Sequence, residues 1–320
     1  MNPYVFFLGC PRSGTTLLQR LGNAHPLLAV INEIQWVPKW WERRAGVAPD
    51  GTVTTELVRK LLAHRRFPRL ELQPQRVAEL VREGEPKPYA RFVRELFDLH
   101  GEIKGKRLVG EKSPTYVRHL PTLHELFPEA RVVHLLRDGR DVALSALDWK
   151  KGERILGRSP TWKDDPLTTA ALWWEWHVRL GREAAGLLGS ERYHELFYES
   201  LVAEPERECM RLCTFLGIAY DATMLRFHEG RMKPKPGRGA KAAWLPVTRG
   251  LRNWAEQMAP AEVRHFEAAA GLLLQELGYA PGAETISAEE FDRAARLRAA
   301  FAAGARARGR AVPEAWSVAA

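Results

Sequence analysis

Residues 5–21 have the sequence VFFLGCPRSGTTLLQRL. Its first residues, 5–8, form an apolar run that suits a strand buried on both faces of a parallel sheet. From residue 15 to 21, leucines recur on one side of a helix. Gly9 and Gly14 bound the loop between these two elements. The stretch therefore predicts a strand, a glycine-bounded loop and a helix in succession.

The loop has the glycine spacing of the phosphate-binding pattern G-x-x-x-x-G-K-[ST], whose backbone N–H groups and helix N-terminus hold phosphate oxygens. Thr15 stands where that pattern has lysine, and the cation of the loop is Arg12. Arginine forks onto an oxyanion through several donors, whereas lysine acts as a point charge. The loop is thus predicted to bind an anion without supporting magnesium-dependent γ-phosphate chemistry; a turn with no ligand is the alternative. The residues predicted to hold the anion are Arg12, Ser13, Gly14, Thr15 and Thr16.

The size of the chain suits a globular protein. Its 320 residues are 45% hydrophobic, which allows one large domain or two modest ones. No apolar stretch reaches the roughly 20 residues that a membrane span needs, and the first strand begins too early to leave room for a signal peptide. We therefore expect a cytoplasmic protein without membrane association.

The charge of the chain points to an anionic ligand. The net charge is +9, and arginine (36) outnumbers lysine (12) threefold. The basic residues are scattered and no nucleic-acid-binding motif is present, so a small, highly charged cofactor explains the excess better than nucleic acid does. The three cysteines, Cys10, Cys209 and Cys213, suit neither a disulfide framework nor a zinc site, and no metal is predicted.

The remaining sequence alternates strands with helices, which predicts a P-loop-type three-layer α/β/α fold with a central, mainly parallel sheet. The further predicted strands lie at 28–31, 107–110, 132–136 and within 192–201. The predicted helices lie within 54–101, where prolines interrupt them, and at 141–149, 167–188, 205–216, 260–278 and beyond 285. We assign residues 1–284 to one α/β domain with a helical, acceptor-side insertion around 36–105, and residues 285–320 to a C-terminal helix and tail.

A second polar segment follows a predicted strand, where open parallel sheets bind ligands. In LLRDGRDVALS, Arg137 leaves the strand and Ser145 lies on the second turn of the next helix. An arginine and a serine so placed could bind a second phosphate. The alternative is an ion-pair cluster with Asp138 as the helix N-cap. We favour that alternative for Arg140 and Asp141, and the ligand for Arg137 and Ser145.

With these motifs in place, the chain resembles the sulfotransferases that use 3'-phosphoadenosine 5'-phosphosulfate (PAPS), of the bacterial type related to the tyrosylprotein sulfotransferases. PRSGTTLL resembles the family's loop for the 5'-phosphosulfate, and LLRDGRDVALS resembles its segment for the 3'-phosphate. FYESLVAEPERECMRLCTFLGI and LRNWAEQMAPAEVRHFEAAAGLLLQELGY resemble later elements. The likeness covers most of residues 4–280, and two phosphate motifs in the right order make it specific.

The resemblance implies roles for particular residues in holding the cofactor. The loop from Arg12 to Thr16 would bind the 5'-phosphate, and Arg137 with Ser145 would bind the 3'-phosphate. Tyr198 would contact the nucleotide, although a buried strand aromatic is an open alternative. Relatives often place a basic residue directly before the tryptophan at 254, where this chain has asparagine, so Arg252 is assigned as the extra anion contact, with a residue near Lys241 as the alternative. The basic loop 231–250 would cover the adenosine.

The resemblance also implies the catalytic groups. In-line sulfuryl transfer needs its oxygens held and the leaving phosphate stabilised, mainly by positioning and electrostatics, and Arg12 would supply much of this. Glu33 would be the general base, and Lys112 of EKSP would stabilise charge on the bridging oxygen. Apolar neighbours predict a raised pKa for Glu33; an ordinary glutamate paired with an arginine is the alternative. His25 and His119 are the bases of a rival mechanism, although helix capping suits His25 better.

The predicted activity is sulfuryl transfer from PAPS to a hydroxyl, or as second choice an amine, of a small-molecule or peptide acceptor, releasing 3'-phosphoadenosine 5'-phosphate (PAP). The alternatives are a P-loop nucleotide kinase and an inactive nucleotide-binding protein of the same fold. A homodimer formed through the C-terminal helix remains open. Six tryptophans could line the acceptor pocket or belong to the core: Trp36, Trp40, Trp41, Trp173, Trp174 and Trp176.

Overall fold

The structure, a computed structural model, describes residues 3–81, 86–229, 245–248, 250 and 252–316. Within these residues, five parallel strands form one sheet in the order β2-β3-β1-β4-β5; the parallel sheet was predicted, and its strand order was not. The central position of β1 places its carboxyl end beside those of β3 and β4. The strands are β1 (Val5–Gly9), β2 (Leu28–Asn32), β3 (Leu108–Lys112), β4 (Arg131–Leu136) and β5 (Tyr193–Phe197).

Helices connect the strands and cover both faces of the sheet, and four short 3₁₀ segments join them. The helices up to β4 are α1 (Thr15–Ala24), α2 (Val37–Glu42), α3 (Thr55–Leu62), α4 (Pro74–Glu79), α5 (Tyr89–Lys104) and α6 (Leu120–Leu126). Those after β4 are α7 (Gly139–Leu147), α8 (Gly152–Leu156), α9 (Pro166–Glu183), α10 (Ala185–Leu188), α11 (Tyr198–Ala203), α12 (Pro205–Phe215), α13 (Trp254–Gln257), α14 (Pro260–Glu276) and α15 (Ala288–Ala307). The 3₁₀ segments are Phe67–Leu70, Pro114–His119, Ala222–Arg226 and Glu314–Trp316.

The two-residue period of β1 divides its side chains between two cores. Phe6 packs with Phe127, their ring centroids 5.1 Å apart, in the core beneath α5 and α6. Phe7 belongs to the core on the other face, which contains Leu21 of α1. A third core gathers side chains of α7, α9, α14 and α15 around Trp174. Both faces of the sheet are therefore covered, which is the predicted three-layer arrangement.

Strands β1 and β2 end one residue later than predicted, and β3 and β5 differ from the prediction by more. β3 continues through Glu111 and Lys112, because pairing with β2 and β1 satisfies the backbone there. β5 ends at Phe197, and Tyr198 is the first residue of α11. The alternative interpretation of Tyr198 as a strand aromatic is therefore wrong.

Of the two alternatives for the six tryptophans, pocket or core, the core describes five. Trp36 and Trp40 are buried in the core beneath α5 and α6, and the three tryptophans of α9 are buried in the third core. Helix α15 packs on α9 and α14. Among the described residues, no helix combines the length and apolarity that crossing a membrane requires. Most of the predicted 231–250 loop lies outside the described residues.

Candidate active site

The loop after β1 has the conformation of an anion cradle. Its backbone is left-handed at Arg12 (φ 83°) and at Gly14 (φ 98°). A Cβ on Gly14 would lie 2.5 Å from the ring of Tyr198, so only glycine fits. The first amides of α1, beginning at Thr15, have no acceptor within the helix and carry its partial positive charge. The Ser13 hydroxyl is buried and has no hydrogen-bond partner in the described part of the chain.

Arg12 joins this loop to the second motif. Its Nε donates to Ser145 Oγ at 3.0 Å, and its guanidinium lies 5.4 Å from the ring centroid of Trp149. Burial lowers the pKa of Arg12, and the charges of Arg252 and Arg137 lower it further. Mutual repulsion of three cations is unfavourable, and a ligand with several negative charges would relieve it.

Arg137 is only partly neutralised by its neighbours. Its Nη2 donates to Asp141 Oδ2 at 2.9 Å, and its Nη1 lies 3.5 Å from the carbonyl oxygen of Arg12. Its guanidinium lies 4.3 Å from the ring centroid of Tyr198. The buried Nε has no hydrogen-bond partner within the described ranges. Arg137 therefore keeps donor capacity for a ligand despite its ion pair.

The neighbouring charges hold the start of α7 in place. Asp138 is the N-cap of α7 and accepts a hydrogen bond from the Arg140 amide at 2.9 Å. The Arg140 side chain forms ion pairs with Asp138 and Glu267. Arg252, the predicted extra anion contact, pairs with Asp148 at 2.6 Å. Arg140 is thus structural, as favoured from the sequence.

Glu33 and Lys112 meet at the carboxyl ends of β2 and β3. The strand register pairs Asn32 with Lys112, and Lys112 Nζ donates to Glu33 Oε1 at 2.6 Å. The Lys112 side chain is 1% exposed, whereas that of Glu33 is 30% exposed. The two groups therefore form an ion pair whose glutamate side can be reached from outside.

The pKa of Glu33 lies below its usual value, so the predicted upward shift is wrong. Burial acts to raise this pKa, but the charges of Lys112, Arg69 and Arg66 outweigh it. Both arginines also donate to the Glu33 carbonyl oxygen, at 2.8 and 2.6 Å. The prediction counted the apolar sequence neighbours and missed cations that only the tertiary structure brings close. The carboxylate is therefore ionised at neutral pH.

Comparison with known proteins assigns the chain to a family. The profile described as "Sulfotransferase family" matches residues 3–222. The chain belongs to the sulfotransferase family. The recognition made from the two phosphate motifs is confirmed, as is the assignment of the chain as a sulfotransferase enzyme.

Two curated relatives illustrate the likeness of this sulfotransferase to known proteins. Protein-tyrosine sulfotransferase 2 of Gallus gallus is 26% identical over 288 residues, which are 87% of this chain and 70% of the relative. Protein-tyrosine sulfotransferase of Drosophila melanogaster is 26% identical over 289 residues, which are 87% of this chain and 52% of the relative. This chain therefore spans only about half the length of the Drosophila protein.

Two solved structures share the fold of the sulfotransferase. The sulfotransferase domain from the curacin biosynthetic pathway superimposes with a TM-score of 0.60 at 20% identity, covering 88% of this chain and 99% of that domain. The sulfotransferase domain of the Synechococcus PCC 7002 olefin synthase gives a TM-score of 0.59 at 23% identity, covering 87% and 95%. At these identities the likeness shows the fold alone.

Glu111 contributes to the site of this sulfotransferase in a way the sequence did not predict. It is fully buried, and its carboxylate accepts hydrogen bonds from the Gln35 amide at 3.1 Å and from the Ser113 hydroxyl. Glu33 and Gln35 both have positive φ, 51° and 62°, which side-chain-bearing residues rarely adopt. Burial raises the pKa of Glu111 to about 7. Glu111 thus fixes the turn that carries Glu33. The sequence feature that could have revealed this role is a carboxylate within a buried strand.

The two candidate histidines are engaged elsewhere. His25 ends α1, where its ring nitrogens hydrogen-bond Ala219 O at 2.9 Å and the Leu27 amide at 3.1 Å. His119 hydrogen-bonds Glu42 at 2.7 Å, and burial lowers its pKa. His25 is therefore the C-cap residue of α1. No contact in the described structure joins His25 or His119 to the Glu33–Lys112 pair.

Proposed function

We propose that the chain transfers a sulfuryl group from PAPS to a hydroxyl group of an acceptor. One observation carries the proposal: the two anion cradles adjoin. Arg12 of the first contacts Ser145 of the second at 3.0 Å, and Arg137 approaches the Arg12 carbonyl. The 5'- and 3'-phosphates of one adenosine are attached to the same ribose and must bind close together. Adjoining cradles suit such a ligand. A mononucleotide with a single phosphate chain would not fill both cradles.

The residues present fit the cofactor. The buried Ser13 hydroxyl and Arg137 Nε have no protein partner in the described part of the structure, and burying such groups is costly unless a ligand bonds them. Gly14 keeps the cradle open. The 5'-phosphosulfate would be held by Arg12, Ser13, Gly14, Thr15 and Thr16. The 3'-phosphate would be held by Arg137 and Ser145, with Tyr198 against the nucleotide and Arg252 as a further cation.

Each side chain of the site would have one task in the transfer. Bound PAPS supplies an activated sulfuryl group on a phosphate leaving group. Arg12 and the N-terminus of α1 stabilise negative charge on that phosphate. Lys112 Nζ holds Glu33 Oε1, and Oε2, which accepts a long hydrogen bond of 3.4 Å from Gln35 Nε2, would use its other lone pair to accept the proton of the acceptor hydroxyl. The lowered pKa keeps Glu33 ionised for this step, and Lys112 would stabilise charge on the bridging oxygen.

The other predictions rest on the sequence. The acceptor is a small molecule or a peptide, with an amine as the second choice of acceptor group. A cytoplasmic location, a homodimer and the independence from metal and nucleic acid stay predictions. The kinase alternative is not favoured, because Thr15 stands at the lysine position of the loop.

Nucleotide titration tests the proposal. PAP is titrated into the full chain in EDTA, and ATP is titrated with and without magnesium. We expect PAP to bind without magnesium at least about tenfold more tightly than ATP, a difference of about 1.4 kcal/mol. Tighter, magnesium-dependent binding of ATP would instead indicate a kinase.

A further inference from the structure

Two arginines from distant parts of the chain lie over one tryptophan. Arg118, in the 3₁₀ segment after β3, lies 4.8 Å from the ring centroid of Trp176 on α9. Arg310, which follows α15, lies 5.8 Å from the same ring. Trp176 Nε1 donates to the carbonyl oxygen of Ala311 at 2.8 Å, which fixes the segment after α15 against α9. The fold therefore holds both guanidinium groups beside the Trp176 ring.

More positive charge surrounds this pair. Arg43 follows α2, Arg158 follows α8, and Arg308 donates to the Arg158 carbonyl oxygen at 3.0 Å. We call Arg43, Arg118, Arg158, Arg308 and Arg310 the arginine cluster. Within the described ranges of the chain, no member forms an ion pair with a carboxylate.

The nearest carboxylate to act on Arg118 is already engaged. Glu42 attracts the Arg118 charge, but it accepts hydrogen bonds from His119 at 2.7 Å and from Thr122 at 2.8 Å. The charge of Glu42 therefore acts on Arg118 without an ion pair between the two side chains in the described part of the chain.

The missing counter-charge matters most for Arg118 and Arg310, the two members of the cluster that are not exposed. Arg43, Arg158 and Arg308 are exposed, where water solvates an unpaired arginine. Arg118 and Arg310 are half-buried, and the Arg118 Nε has no hydrogen-bond partner among the residues described. Burial and then the charge of Arg310 lower the pKa of Arg118 to about 10. Like charges held together in a partly buried place are unfavourable unless an anion joins them.

The cluster is connected to the catalytic pair by further cations. Lys39 on α2 interacts with cations of both: burial and then the charges of Arg118 and Arg66 lower the pKa of Lys39 to about 8. Arg66 in turn donates to the Glu33 carbonyl oxygen. Charge interactions through Lys39 and Arg66 thus link the cluster to the proposed base.

We propose that Arg118 and Arg310 bind an oxyanion group, such as a phosphate, sulfate or carboxylate, beside Trp176. Guanidinium groups match the planar or tetrahedral oxygens of these anions through paired donors. An anionic group on the acceptor and a free inorganic anion offer the same chemistry. The first source rests on the proposed function; the second does not.

Phosphate titration tests the site in the full chain. PAP is first added to saturation so that the cofactor cradles are filled, and inorganic phosphate is then titrated by calorimetry at constant ionic strength. We expect one equivalent to bind, and Arg118→Gln or Arg310→Gln to weaken it at least about tenfold. Arg296→Gln is the matched control, because it removes the same charge from an exposed position on α15; it should change the affinity less than twofold.

The outcomes separate the site from the proposed function. Absence of phosphate binding in the wild type, or equal losses in Arg310→Gln and Arg296→Gln, would overturn the site. Failure of PAP to bind would overturn the proposed function but not the site. Phosphate is then titrated into the PAP-free protein, and binding that Arg118→Gln abolishes would still support the site. Glycerol 3-phosphate distinguishes the two sources of the anion. Binding at least about tenfold tighter than that of inorganic phosphate indicates an anionic group on the acceptor, and equal binding indicates a free inorganic anion.

Discussion

At the scale of single residues, Glu33 carries the proposed chemistry. Glu33→Gln keeps a hydrogen-bond acceptor for Lys112 but removes the base. We expect kcat to fall by roughly 10²–10⁴-fold, the usual contribution of a general base. The affinity for PAP should stay within about twofold, because Glu33 lies outside the cofactor cradles. Steady-state kinetics and PAP titration measure both, and a comparable loss of PAP affinity would refute the assignment.

The pH dependence of the sulfotransferase should report the cations around Glu33. A base works only when ionised, and the lowered pKa of Glu33 places the acid limb of kcat/KM below the usual range of a glutamate. Arg69→Gln removes one of the charges that lower this pKa, so the acid limb should move to higher pH. The control is Arg76→Gln, whose arginine pairs with Glu79 on the exposed surface of α4. An unmoved limb in Arg69→Gln would contradict the assignment of Glu33 as base.

Glu111 acts through the turn that carries Glu33, so it is a positioning residue. Glu111→Ala removes the acceptor for the Gln35 amide and should lower kcat at least about tenfold, since misplacing a catalytic group is costly. PAP affinity should be unchanged. Glu111→Gln keeps an acceptor oxygen and should restore most of the activity. If the alanine and glutamine variants lose kcat equally, the positioning role is wrong.

At the scale of elements, the P-loop conformation depends on one glycine. Gly14→Ala would place a Cβ 2.5 Å from the Tyr198 ring at a φ of 98°. We expect this variant to lose both thermal stability and PAP affinity. Gly105→Ala is the control: its φ is also positive, 62°, but nothing lies within 4 Å of the added Cβ. It should cost only the left-handed strain, about 1–2 kcal/mol, and leave PAP binding intact. Equal PAP affinity in both variants would contradict the cradle.

The elements differ in how far the sequence could predict them. β1 and α1 follow from local patterns, which is why the P-loop was recognisable. The end of β5 was missed at Tyr198, because an apolar and aromatic run fits a strand or a helix start equally well. The Glu33–Lys112 pair joins residues 79 positions apart, and its effect on the pKa depends on the register of β2 and β3. No local pattern holds that information.

At the scale of the whole molecule, strand order explains why the two phosphate motifs could be assigned together. β1 and β4 are neighbours in the sheet, so the segments after them meet although they are far apart in sequence. That the ligand site lies at the carboxyl ends follows from a general rule of parallel sheets. The arginine cluster could not be predicted in this way, because its members come from the ends of α2, α8 and α15 and from the segment after β3.

The third core ties the C-terminal helix to the rest of the molecule. Phe301 of α15 is buried, with its ring 5.8 Å from that of Trp176. Phe301→Ala should lower the free energy of unfolding by about 3–5 kcal/mol in denaturant titrations. Leu272→Ala is the control, because Leu272 is 71% exposed and its loss should cost about 0.5 kcal/mol or less. Equal effects would mean that α15 does not contribute to the core.

Two adjoining cradles are proposed to hold the two phosphates of one nucleotide, and the affinities of two nucleotides test this arrangement. PAP and adenosine 5'-monophosphate, which lacks the 3'-phosphate, are titrated into the wild type, Arg137→Gln and Ser145→Ala. The account predicts that Arg137→Gln weakens PAP at least about tenfold, about 1.4 kcal/mol, and leaves the monophosphate unchanged. Ser145→Ala should follow the same pattern with a smaller loss. Equal losses for both nucleotides, or none for either, would contradict the account.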